Sequence, residues 1–140
     1  MTAYRTACVL AFLLSAGVMP IANAQQTKVP DEPGTVRYHG NIGKTAMGGN
    51  IVEDLKIGPP HGGMSRVTID VGSPACAGTA SGMASVQGET LLLTKDDSGN
   101  ECGLTIHRTA SGATVKEDNC TIEHGASCDF SSGKPLRRAH

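Results

Sequence analysis

From residue 66 onward, apolar and polar residues alternate along the chain with a period of two. This alternation is typical of β-strands that have one buried and one solvent-facing side. No part of this half of the chain shows a sustained helical period. The apolar members of the three clearest runs are Val67, Ile69 and Val71, then Leu104 and Ile106, then Ala113 and Val115.

Turn signals separate these runs at intervals of roughly eight to twelve residues. The clearest are Asp97-Ser-Gly-Asn100 and Ser111-Gly112, which have the composition of hairpin loops. Before the first of these turns, Thr90–Thr94 carries three consecutive leucines and is a further strand candidate. The pattern predicts an all-β fold, a small antiparallel barrel or sandwich, with a β domain at residues 66–138.

Residues 25–65 have a different composition, rich in glycine and proline, and contain the run Gly58-Pro-Pro-His-Gly-Gly63. Such residues interrupt any long element. Two short apolar stretches remain, at 35–38 and 51–57, and the second fits either a strand or a helical turn. We expect this segment to be a partly mobile N-terminal arm, partly disordered, that docks at most one strand.

The first 24 residues have the pattern of a secretory signal peptide. A short n-region ends at Arg5, an apolar core follows, and Ala22-Asn-Ala24 offers a cleavage site. The apolar core is too short to span a bilayer of about 30 Å. We therefore expect an exported, periplasmic or secreted protein that begins at Gln25 and has no membrane span.

Four cysteines remain after residue 24: Cys76, Cys102, Cys120 and Cys128. An even number of cysteines in an exported chain predicts two disulfides, for which three connectivities exist. We favour Cys76–Cys102 with Cys120–Cys128, because both bridges would then close sequential loops. A metal site is disfavoured, since no two cysteines have C-x2-C spacing and thiolates oxidise in such a compartment.

The charges are distributed unevenly along the predicted mature chain. Residues 25–133 hold 8 basic and 13 acidic residues, whereas Lys134, Arg137 and Arg138 form a basic tip. An acidic body does not fit nucleic-acid binding, which requires a basic face. With only Tyr38 and Phe130 as aromatic residues after residue 24, the core depends on aliphatic side chains and on the disulfides.

Two candidate binding elements follow from these features. A Cys120–Cys128 bridge would close a nine-residue ring that presents His124 on a rigid, exposed loop. The basic tip, Lys134, Arg137 and Arg138, would reach acidic groups of a partner. The alternatives are that the ring only shapes a tight turn and that the tip is a solvated terminus.

No catalytic motif is present in the sequence. There is no Gly-x-Ser-x-Gly elbow, and two aromatic residues cannot build a sugar-stacking cleft. The histidines lack the i, i+2 or i, i+4 pairing of metal ligands. We expect neither an enzyme nor a cofactor.

The stretches Cys102-Gly-Leu-Thr-Ile106 and Cys120 to Cys128-Asp-Phe130 resemble small exported β proteins of Gram-negative bacteria. Within residues 74–138 the chain is similar in scale and layout to the periplasmic C-type lysozyme inhibitors. That resemblance implies a disulfide-tied antiparallel barrel and binding in a lysozyme cleft. The family's Ser-Gly-x-x-Tyr and Lys-Gly loops have no counterpart here, since Ser85 stands at the tyrosine position.

Two function classes remain open. The first is an exported, non-catalytic binding protein of the envelope with a protein partner, such as a basic hydrolase of the lysozyme type. An acidic body would steer toward such a cationic partner. The second is an envelope structural protein or surface antigen that has no enzyme target. Binding to lysozyme separates the two.

Overall fold

A computed structural model describes residues 30–140 and contains eight β-strands and one short helix. The predicted signal peptide and its cleavage site lie outside the described residues. In chain order the elements are β1 (Val36–Lys44), β2 (Asn50–Ile57), β3 (Met64–Ser73), β4 (Cys76–Gln87), β5 (Thr90–Leu93), β6 (Gly103–Arg108), β7 (Gly112–Asp118), α1 (Thr121–His124) and β8 (Leu136–Arg138).

The eight strands form a closed barrel in which each strand pairs antiparallel with the next. The short strand β8 closes the barrel, because it pairs with β7 on one side and with β1 on the other. The predicted all-β, disulfide-tied antiparallel fold is therefore confirmed, and of the two architectures considered it is the barrel. Closure leaves no free sheet edge along the paired residues.

The core lies inside the barrel and follows the alternation seen in the sequence. The apolar members of the three predicted runs are all buried, and Leu91 and Leu93 join them from β5. The loop at Asp97–Asn100 connects β5 to β6, as its composition predicts, and the Gly99 N–H donates to the Asp96 carbonyl at 3.0 Å. Phe130 is the largest fully buried side chain.

The boundary predicted at residue 66 is wrong. Strands β1 and β2 lie within the segment that we expected to be an arm, yet they pair with each other and with β8 and β3. Tyr38, Leu55 and Ile57 from these strands are buried in the core. The barrel therefore begins at Val36, and its first two strands are integral to it.

The glycine- and proline-rich run at 58–63, which we assigned to the arm, is the loop of the β2–β3 hairpin. The Gly58 N–H donates to the Arg66 carbonyl, and His61 and Met64 exchange backbone hydrogen bonds. Upstream of β1, the carboxylate of Asp31 lies against Arg37 and Lys56. The described part of the predicted arm is thus docked on the barrel wall.

One end of the barrel is filled by residues 119–135, which connect β7 to β8 and are called the plug below. Both disulfides lie at this end and tie the plug to the wall. Cys102 pairs with Cys120, with Cα atoms 4.4 Å apart, and Cys76 pairs with Cys128, with Cα atoms 5.9 Å apart. The four cysteines within residues 30–140 are all paired, as expected, but the favoured connectivity is wrong.

The β6–β7 hairpin explains the observed pairing. Gly103 of β6 is the register partner of Asp118 of β7. Cys102, one residue before Gly103, and Cys120, two residues after Asp118, therefore meet at the open end of the hairpin. Cys76, at the start of β4, then pairs with Cys128 of the plug.

Peptide mapping under non-reducing conditions checks this connectivity. Digestion of the native protein is expected to release Cys76 joined to Cys128 and Cys102 joined to Cys120, with no free thiol at these four positions. Recovery of a Cys76–Cys102 peptide would contradict the structure.

Within residues 30–140, no helix has the length and apolar character needed to cross a membrane.

Candidate binding groove

The most prominent recess near the predicted binding residues is a groove that follows β8. It has a volume of about 830 Å³ and is bordered by β1, by the start of β7 and by β8 with the two residues before it. Its walls are formed by His39, Gly40, Asn41, Ser111, Gly112, Lys134, Pro135, Leu136, Arg137 and Arg138. The groove thus brings together the three basic residues that the sequence indicated.

Two glycines allow β8 to lie in this position. A Cβ atom at Gly112 would stand 2.5 Å from the Leu136 carbonyl oxygen, and one at Gly40 would stand 3.0 Å from Leu136 Cδ2. Both distances are shorter than ordinary van der Waals contact. Side chains at these positions would therefore push β8 away from the seam. Leu136, which is fully buried, anchors the strand in the core.

With Leu136 buried, the charged residues around it are left in solvent. Lys134, Arg137 and Arg138 are all exposed. Each of the ion pairs found among residues 30–140 involves other cations, so these three have no carboxylate within 4.0 Å in the described part of the chain. The groove is therefore a concentration of unpaired positive charge on a body that is otherwise acidic.

His39 lines the same groove from β1, where it pairs in register with Arg137 of β8. On its other side, His39 Nδ1 lies 2.6 Å from Asp54 Oδ1 of β2. This carboxylate fixes the ring at the edge of the groove. The sequence analysis missed His39, because β1 was assigned to an arm and not to the strand next to the basic tip.

His124, the fourth predicted binding residue, does not line the groove and is not exposed. It lies in the plug, buried at 7% exposure, with its ring 4.8 Å from that of Phe130 in an edge-to-face arrangement. The prediction of a rigid, exposed loop is wrong because no Cys120–Cys128 ring forms. His124 instead belongs to the packing of the barrel end.

The contacts of His124 show what it does there. Nε2 lies 2.8 Å from Glu117 Oε2 of β7, and Nδ1 lies 2.5 Å from the Gly125 carbonyl oxygen. Both ring nitrogens therefore lie against acceptor oxygens, one on the barrel wall and one in the plug. Glu117 Oε2 also accepts from the Phe130 N–H at 2.7 Å. One carboxylate of the wall therefore holds the plug at two points.

One group of potential metal ligands lies close together in the described residues: Cys102, Cys120 and Glu123. The disulfide between the two cysteines removes both thiolates from coordination. The carboxylate of Glu123 accepts a hydrogen bond from Asn100 Nδ2 at 3.0 Å. This cluster therefore cannot hold a metal ion while the bridge is intact.

The fold and the groove together define the class: a small, closed, disulfide-tied β-barrel with a basic groove at its seam. Comparison with protein-family models, with curated proteins and with solved structures gives no match to this chain.

Proposed function

We propose that the protein is an exported, non-catalytic binding protein of the bacterial envelope, and that its β8 groove binds carboxylates of a protein partner. The observation that carries this proposal is the set of three exposed, unpaired cations around a buried anchor, Leu136. Two disulfides are compatible with an oxidising periplasmic or extracellular location.

The distribution of charge favours one kind of partner. Residues 25–133 carry more acidic than basic groups, while the groove is basic. A protein that is cationic overall but holds carboxylates in a cleft would be complementary to both regions. A basic hydrolase of the lysozyme type would be such a partner, because its catalytic groups are a pair of carboxyls. The resemblance found in the sequence supports the same choice.

The chemistry of the groove suits carboxylates. A guanidinium group donates two parallel hydrogen bonds to a carboxylate, and such charge-assisted bonds are stronger than neutral ones. Arg137 and Arg138 are successive residues of β8, so their backbone is fixed by the pairing with β1 and β7. A partner carboxylate would therefore meet donors whose positions are already restricted.

Charge removal in the groove tests the proposal against a C-type lysozyme. Arg137→Ala and Lys134→Ala are each expected to weaken binding about tenfold, since each removes a charge-assisted contact. Lys95→Ala is the matched control, because Lys95 is exposed, carries the same charge and lies outside the groove. Calorimetric titration at low and at high salt measures the affinities, and thermal unfolding verifies that all three variants remain folded.

A cell-wall lysis assay gives the functional result. If a molar excess of the protein slows lysis and the groove variants do so less well than Lys95→Ala, the proposal stands. If lysis proceeds unchanged and titration detects no binding, the hydrolase proposal is wrong. A structural or surface-antigen role then takes its place.

A further inference from the structure

Glu53 is the most unusual residue inside the barrel. It lies on β2 with a relative exposure of 0%, and neither of its carboxylate oxygens has a hydrogen-bond partner among the described residues. An ionised carboxylate without a partner is very unfavourable in such a place. Burial raises the pKa of Glu53 to about 8, with smaller contributions from Asp129, Asp54 and Glu117. The residue is therefore a neutral acid at neutral pH.

The charged groups that act on Glu53 come from three parts of the structure, and all of them are acids. Asp129 belongs to the plug, Asp54 is the next residue on β2, and Glu117 reaches inward from β7. On the neighbouring strands, the register partners of Glu53 are Gly40 of β1 and Val71 of β3, which carry no charge. The nearby imidazole ring, that of His124, is engaged by Glu117. A negative charge on Glu53 would thus be opposed by its surroundings.

Of these surroundings, the plug is the part that can move when Glu53 becomes charged. Asp54 and Glu117 belong to strands held in the closed hydrogen-bonded ladder of the barrel. The plug contains only the four-residue helix α1 as regular structure. The two disulfides and the hydrogen bonds that Phe130, Ser131 and Ser132 make with β7 hold it on the wall. Repulsion between Glu53 and Asp129 is therefore relieved most easily by movement of the plug, which also admits water to the buried carboxylate.

We propose that Glu53 is a pH-dependent latch: its protonation state determines whether the plug stays packed against the barrel end. While Glu53 holds its proton, Phe130 and His124 stay seated on Glu117 at the barrel end. When the proton is lost, the plug moves away from the barrel end. The two disulfides keep it attached to the barrel, so that it packs again when the proton is restored. This inference does not depend on the proposed function.

Amide hydrogen exchange tests the latch. In the native protein, protection of plug amides such as Phe130 N–H is expected to fall about tenfold or more between pH 6 and pH 9, after correction for the intrinsic pH dependence of exchange. Glu53→Gln is expected to change by less than about twofold over the same range, because the buried group can no longer ionise. Glu89→Gln, an exposed change of the same chemistry, should behave like the native protein.

The amides of β3 distinguish local opening from loss of the whole fold. At pH 9 the core strand at Val67–Val71 should keep its protection while the plug loses it. If β3 and the plug lose protection together, or if Glu53→Gln opens as readily as the native protein, the latch is wrong.

Discussion

Replacing Glu53 with glutamine is expected to raise the free energy of unfolding on the order of 4 kcal/mol at pH 8 and to leave it nearly unchanged at pH 4. The reason is the pKa of the buried carboxyl, which rises from 4.5 to about 8 in the folded barrel. The native state holds a proton that the unfolded chain releases. The stability that this proton contributes is complete below pH 4.5, declines as the pH rises, and is lost once the pH passes 8.

Glutamine resembles the protonated acid in shape and has no charge to lose, so it removes this dependence. Denaturant titrations of the native protein and of Glu53→Gln at several pH values between 4 and 9 measure the effect. The two curves should meet in acid and separate toward pH 8. Glu89→Gln serves as the control, since it alters an exposed carboxyl. Curves for Glu53→Gln and the native protein that run parallel across this range would show that Glu53 is not held in its neutral form.

The second large effect is expected at Gly78 of β4. A Cβ atom at this position would lie 2.2 Å from His124 Cβ and 2.8 Å from the Glu123 carbonyl oxygen. Because one of these atoms belongs to the backbone of α1, a change of rotamer cannot relieve the overlap. Gly78→Ala is therefore expected to lower the free energy of unfolding by about 3 kcal/mol or more, by lifting the plug from the barrel end.

Gly72 of β3 provides the comparison for this experiment. It lies near the same end of the barrel, and a Cβ atom there meets nothing within 4 Å. Gly72→Ala should leave stability unchanged or raise it by up to about 1 kcal/mol, because alanine restricts the unfolded chain more than glycine does. Thermal and denaturant unfolding of the two variants measure the difference. Equal stabilities would show that the plug does not pack on Gly78.

The alternation of residues was sufficient to predict the strands whose burial follows it strictly. At Val67–Val71 and at Leu104–Ile106 the inward positions are aliphatic and the outward ones polar, and the structure buries the inward ones. Strand β1 was missed because glycines interrupt it. The prediction for β2 stayed open between a strand and a helical turn, because this segment begins with two adjacent apolar residues, Ile51 and Val52. Tertiary pairing with neighbouring strands, which local composition does not reveal, makes both of them strands.

Glu53 left a signal in the sequence that can be recognised in retrospect. It is in phase with Leu55 and Ile57, which point into the core, so once β2 is accepted as a strand a carboxyl must lie inside the barrel. The disulfide between Cys102 and Cys120 could equally have been predicted from the sequence, since the two cysteines lie just outside the two ends of one hairpin. In contrast, the groove depends on β1 and β8 meeting, and nothing local in the chain predicts that contact.

The pairing of β1 with β8 also bears on folding, because it is the contact that closes the barrel. The first strand of the barrel finds its second neighbour only in the last strand, and contacts between such distant parts of a chain form slowly. We expect the polypeptide to stay open until Leu136 is available to close the seam. Because β1 and β8 both line the basic groove, the groove comes into existence only when the seam closes.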